Sequence, residues 1–105
     1  MGKVPYGAEL DSTQRMAIAH VTGHAERLIA LGWPVDERAV AELHTLSRDP
    51  VVYGIALGTE LGAMEVAPEV WGHRQPLADL YRKCGADLEV AERQRAWRVA
   101  QRWTT

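Results

Sequence analysis

The chain has 105 residues, of which 47% are hydrophobic and 25% are charged, and its formal net charge at pH 7 is −2. This composition is typical of a globular domain and excludes an intrinsically disordered chain, which has too few apolar residues to form a core. A single cysteine, Cys84, excludes an intramolecular disulfide framework, and no apolar run reaches the roughly 18 residues of a membrane-spanning helix.

The ends of the chain and its residue usage set the expected organisation. Residues 1–10 contain no apolar core of a signal peptide, so we expect an N-terminal arm followed by a single helical domain over residues 11–105. With no secretory or membrane signal, we expect a cytoplasmic protein. Ten arginines against two lysines, with no asparagine or phenylalanine, indicate a GC-rich bacterial genome.

The first predicted helix covers residues 12–31. Asp11 is suited to cap its N-terminus, and Gln14 is placed to complete a capping box. Gly32 can adopt the left-handed conformation that ends a helix, and Trp33 follows at the position that folds back onto the last turn. One apolar face contains Ala17, Ile18, Val21, Ala25, Leu28 and Ile29.

The second predicted helix begins after Asp36, which can cap it, and ends near Ser47. Its apolar face contains Ala39, Val40, Leu43 and Leu46. Asp49 followed by Pro50 is the preferred order of a cap and a first helical residue. The sequence therefore predicts that a third helix begins at Pro50.

The third predicted helix, residues 50–66, is the most apolar segment and contains glycines at four-residue spacing: Gly54, Gly58 and Gly62. Each glycine inside a helix costs about 1 kcal/mol relative to alanine, so this stripe indicates that another helix approaches its backbone closely. The segment is apolar nearly all round, and such a helix must be covered nearly all round.

The remaining segments complete an all-α pattern. Gly72 and Pro76 interrupt residues 68–75, which predicts one turn of helix and a loop, and a short fourth helix covers residues 76–84 before Gly85. Asp87 can cap a fifth helix running toward residue 103. No alternating strand pattern is present. The sequence predicts an all-α fold, a compact bundle of four to five short helices around the central glycine-striped helix.

The glycine stripe has two interpretations. It can admit a neighbouring helix of the same chain, which we favour for the glycines themselves, or it can form a self-complementary contact with a second copy. The apolar surface and the four tryptophans still favour a homo-oligomer, expected to be a dimer. The predicted interface residues are Gly54, Gly58, Gly62, Leu61, Trp97 and Trp103.

The C-terminal third is basic: residues 74–105 contain seven basic and four acidic residues, against five and ten in residues 1–73. Arg95, Arg98 and Arg102 share one face of the last predicted helix. Contact with nucleic acid is one interpretation, but the acidic chain argues against it. A solvated helix end, where arginines oppose the helix dipole, explains this basic face better. The basic end could also meet the acidic N-terminal part of another subunit.

His20 and His24 lie one helical turn apart, the spacing with which two imidazoles bind one metal ion. Histidines at the edge of an apolar face are more often packing residues, and no glutamate follows His20 as it does in zinc-protease helices. His20 and His24 are therefore candidate ligands of a metal ion, and the sequence assigns no cofactor.

Patterns of catalytic residues are missing from the sequence. No nucleophile-elbow, phosphate-loop or dinucleotide-binding motif is present, and Cys84 lies at a helix C-terminus, where the dipole disfavours a thiolate. We therefore expect a non-catalytic interaction and oligomerisation module, associating with itself and with another protein, but with neither nucleic acid nor membranes. The alternative is a metal- or small-molecule-binding bundle that uses His20, His24 and a pocket lined by tryptophans.

Overall fold

The computed structural model describes the backbone of residues 10–104 and the side chains of residues 10–101. Within that range the chain is all-α, with no strand, and none of its helices has the length and apolar character needed to cross a membrane. The helices are α1 (Ser12–Ala30), α2 (Glu37–His44), α3 (Pro50–Val66), α4 (Pro68–Trp71), α5 (Gln75–Lys83) and α6 (Leu88–Thr104), with a 3-10 turn at Gly72–Arg74. The predicted helical bundle is confirmed.

The ends of α1 form as the sequence predicts. The Asp11 carboxylate accepts a hydrogen bond from the Gln14 backbone at 2.7 Å, and the Gln14 side chain accepts one in return from the Asp11 backbone. Gly32 has a φ of 81°, and the Trp33 backbone N–H donates to the Leu28 carbonyl at 3.0 Å. These bonds satisfy backbone groups that a helix end would otherwise leave unpaired.

The end of the second helix differs from the sequence prediction. Helix α2 ends at His44, three residues before the expected Ser47, and the Thr45 hydroxyl there donates to the Glu42 carbonyl at 2.6 Å. Such a local side-chain bond competes with continued helix. Most of the predicted N-terminal arm, residues 1–9, lies outside the described residues, but Leu10 is buried in a cluster with Ile55 and Val90.

Helix α3 is the centre of the core. Ten of its 17 residues are buried, including Tyr53 and Leu57, which are 0% exposed. Helices α1, α2 and α5 contribute Val21, Leu43 and Leu80 to the same buried cluster. The apolar surface of α3 is therefore covered within its own chain, as a helix that is apolar nearly all round requires.

Helices α3 and α6 run side by side in the same direction. Near their N-terminal ends the Asp87 backbone N–H donates to the Pro50 carbonyl at 3.0 Å, and further along both helices Arg95 of α6 pairs with Glu65 of α3. Because parallel neighbours need a long connection, the chain returns from the end of α3 to the start of α6 through α4, the 3-10 turn and α5. This return places Trp71 and Arg74 beside α3.

Candidate functional site

The glycine stripe of α3 is filled by α6. A Cβ atom on Gly58 would overlap the Ala91 carbonyl oxygen, and one on Gly54 would lie 2.8 Å from the Asp87 carbonyl oxygen. A Cβ on Gly62 would lie 2.6 Å from the Arg98 Cβ. All three glycines are buried, so the intramolecular packing that the sequence favoured for them accounts for the stripe.

The other predicted interface residues have different surroundings. Leu61 is half-buried and packs against the main core, and Trp97 is half-buried on α6. The side chain of Trp103 lies outside the described residues. Contact of these residues with a second copy stays a prediction, but the glycines beneath α6 are not open to one.

The basic face of α6 lies against α3. Arg95 pairs with Glu92 on its own helix and with Glu65 on α3, and these bonds raise the pKa of the Arg95 guanidinium above its ordinary value. Arg98 is half-buried, with its Cβ over Gly62. The side chain of Arg102 lies outside the described residues. The two described arginines thus take part in helix packing.

His20 and His24 line an open groove of about 410 Å³ on α1, together with Ala19, Gly23, Arg27 and Leu46. The His24 ring nitrogen Nε2 lies 3.1 Å from the Glu42 carboxylate, and His20 is exposed. Among the described residues, no three histidine, cysteine or acidic side chains come together as metal ligands. A metal ion at His20 and His24 therefore stays a prediction with two candidate ligands.

A buried ion pair joins α3 to the turn before α5. Glu60 is only 4% exposed, and both of its carboxylate oxygens accept hydrogen bonds from Arg74. Arg74 Nη2 also donates to Glu26 of α1 at 2.7 Å. These bonds raise the pKa of the Arg74 guanidinium, the Glu60 hydrogen bond contributing most. A buried charge needs such a partner, because desolvation alone would strongly disfavour it.

A cleft opens beside this ion pair, with a volume of about 210 Å³. Its lining residues are Thr59, Glu60, Ala63, Trp71, Arg74 and Arg98. The Arg74 guanidinium carbon lies 5.7 Å from the centre of the Trp71 ring, within the range of a cation–π contact. The cleft contains none of the residues of the histidine groove, and Trp71 is the one described tryptophan in its lining.

Among the side chains of residues 10–101, the Tyr81 hydroxyl and the Gln94 Oε1 are buried polar atoms near the cleft without a hydrogen-bond partner. The Gln94 amide nitrogen donates to the Thr59 hydroxyl at 3.1 Å. The pKa of Tyr81 is raised, mainly by burial and then by the negative charges of Glu60 and Glu26. Buried polar atoms of this kind are usually bonded to an ordered water.

Cys84 is a buried side chain rather than a reactive thiol. Burial raises its pKa to about 11, partly opposed by a hydrogen bond with Tyr53. The thiolate is the nucleophilic form, so this environment suppresses nucleophilic chemistry at Cys84.

Sequence reasoning did not select Glu60 and Arg74. The sequence signal for this pair was Glu60, the one acidic residue in the interior of an apolar helix. A glutamate buried at such a position requires a positively charged partner. No local pattern identifies the partner, because Arg74 lies 14 residues away, beyond the end of α3.

Comparison of the chain with protein-family models, with curated proteins and with solved structures gives no significant match.

Proposed function

We propose that the protein is a non-catalytic helical module that associates with a second copy of itself through the outer face of α1. We call this face the α1 stripe; it consists of Met16, Ala19, His20, Gly23 and Arg27, all exposed. Except for the adjacent pair Ala19 and His20, these residues follow one another three or four positions apart and are therefore neighbours on the helix surface. Because α6 covers the glycines of α3, the proposed contact surface is on α1 instead.

The observation that carries the proposal is an open glycine on a surface that also has exposed apolar side chains. A Cβ atom on Gly23 would have no atom within 4 Å, so nothing in the described chain explains a glycine at this position. Met16 is 60% exposed, and Leu46, which lines the same groove as Gly23, is 42% exposed. Exposed apolar side chains around a groove are typical of interaction sites.

The order of residues along the stripe favours a second copy as the partner. Suppose that two α1 helices pair antiparallel about a two-fold axis, with Met16 of one copy over Gly23 of the other. The same axis then also places Met16 of the second copy over Gly23 of the first. The large side chain of each copy then fills the gap left by the glycine of the other. The axis falls between Ala19 and His20, so the small Ala19 side chain of one copy lies opposite the His20 ring of the other and leaves room for it.

Charge supports the same register. Arg27 is exposed and has no ion-pair partner within residues 10–101. In the two-fold register it lies opposite Ser12, next to the exposed Asp11 carboxylate of the other copy. Opposite charges at the two ends of a stripe fix the orientation of partners more than they add affinity.

Sedimentation equilibrium over a wide concentration range tests the proposal. The expected result is a mass that rises with concentration from 11.7 kDa, the mass of one chain, toward twice that value. Gly23→Leu fills the gap with a side chain of the same copy, and Met16→Gln removes the apolar group that would enter the gap of the other copy. We expect each variant to weaken association by about tenfold or more, equivalent to roughly 1.4 kcal/mol.

Ala96→Leu is the matched control, since it adds a large side chain at an exposed position on α6. We expect it to associate as the unchanged protein does. A single-chain mass at every concentration would overturn the proposal, and so would stripe variants that associate as tightly as the control.

A further inference from the structure

The cleft beside the Glu60–Arg74 ion pair differs from the α1 stripe in that it is small, partly enclosed and lined by charged groups. It lies between α3, α6 and the segment formed by α4, which ends at Trp71, and the 3-10 turn that ends at Arg74. We propose that this cleft binds a small organic carboxylate with a flat apolar body. The inference is independent of self-association, since the cleft contains no residue of the α1 stripe.

The charge of the lining favours an anion. Glu60 is neutralised locally, because Arg74 donates to both of its oxygens. Arg98 also lines the cleft and has no ion-pair partner within residues 10–101. Arg74 is shared between Glu60 and Glu26, so Arg98 is the guanidinium group of the lining that is left to pair with the carboxylate of a ligand.

The shape and the apolar lining favour a flat body. The Trp71 ring and Ala63 provide apolar surface beside the charged groups. The volume of about 210 Å³ is below the roughly 300–1,000 Å³ of pockets that hold drug-sized ligands. A molecule with one ring and one carboxylate suits this combination of size, ring surface and charge.

Titration with benzoate, followed by two-dimensional ¹H–¹⁵N NMR of the tryptophan indole groups, tests the inference. The Trp71 signal is the one missing from the Trp71→Phe spectrum. We expect benzoate to shift this signal saturably, while benzyl alcohol and benzylamine bind at least about tenfold more weakly. Equal shifts with benzyl alcohol, or no shift of the Trp71 signal with benzoate, would overturn the inference.

A pair of arginine variants tests the role of the charge. Arg98→Gln keeps the Cβ and Cγ atoms that pack over Gly62 but removes the guanidinium group. We expect it to weaken benzoate binding by about tenfold or more. Arg93→Gln, on the exposed side of the same helix, makes the same change of charge and is expected to bind as the unchanged protein does. Equal weakening by both variants would contradict a localised site, and if Arg98→Gln fails to fold, the ligand series on the unchanged protein decides.

Discussion

Helices α1 and α3 both contain glycine well inside a long helix, but the surroundings of these glycines are opposite. At Gly58 a Cβ atom would overlap the backbone of α6, whereas at Gly23 nothing lies within 4 Å of the same position. Gly58 permits the close contact between α3 and α6, whereas Gly23 leaves a gap on the surface of α1. The comparison shows that an interior glycine does not by itself establish a close approach, since only the glycines of α3 have a neighbouring element against them in the described chain.

Spacing explains why only α3 holds a whole helix. Its three glycines recur every four residues, so the gaps form a continuous groove along which Val90, Gln94 and Arg98 lie. Gly23 stands alone, between Ala19 and the long side chain of Arg27. A single gap has room for one side chain, such as Met16 of a second copy, rather than for a whole helix.

Among the substitutions that we propose, leucine at Gly58 and leucine at Gly23 should have the largest and most different effects on stability. Gly58→Leu places a large side chain where the α6 backbone already lies, and overpacking by even a few methylene groups costs about 1–3 kcal/mol. With the backbone itself displaced, we expect loss of the cooperative unfolding transition, measured by circular dichroism in urea.

Gly23→Leu is the matched change on α1. We expect it to keep the cooperative transition and at least the stability of the unchanged protein, because leucine has the higher helix propensity, while self-association weakens. If Gly58→Leu folds as cooperatively as Gly23→Leu, the close contact of α3 with α6 is wrong.

The helix caps could be predicted from the sequence because they depend on neighbours. Asp11 with Gln14, and Gly32 with Trp33, form their bonds within a few residues, and both motifs are present. The central position of α3 could also be predicted, since a segment with so few polar residues must be buried.

Features that depend on distant residues could not be predicted. The sequence gives no register by which Gly58 meets Ala91, or Glu60 meets Arg74, because these pairs are set by how the chain returns between α3 and α6. The cleft follows from that same return, so its lining could not be predicted either.

The free energy of unfolding at alkaline pH tests whether side chains around α3 are buried, in contrast to the open surface of α1. Burial raises the pKa of Cys84 from its ordinary 9.0 to about 11. Below pH 9 the thiol is protonated in both the folded and unfolded chains, so its contribution to stability is fully present. Between pH 9 and 11 the unfolded chain loses this proton first, and we expect the free energy of unfolding to fall by about 2 kcal/mol.

Urea unfolding at a series of pH values measures this loss, and Cys84→Ala separates the thiol from other groups. Burial also raises the pKa of Tyr53 and Tyr81 above 10, so the variant should lose stability mainly above pH 10. A wild-type stability that stays constant from pH 9 to 11 would show that Cys84 is not buried as described.

The most direct test of the central claim, that the glycines of α3 are filled and that of α1 is open, is the free energy of unfolding of two alanine variants. Gly23→Ala should gain roughly 0.5–1 kcal/mol from helix propensity, since its methyl group meets no atom. Gly58→Ala should lose about 2 kcal/mol, because overlap with the Ala91 carbonyl outweighs the same gain in propensity. Stabilisation of similar size by both variants would contradict the account.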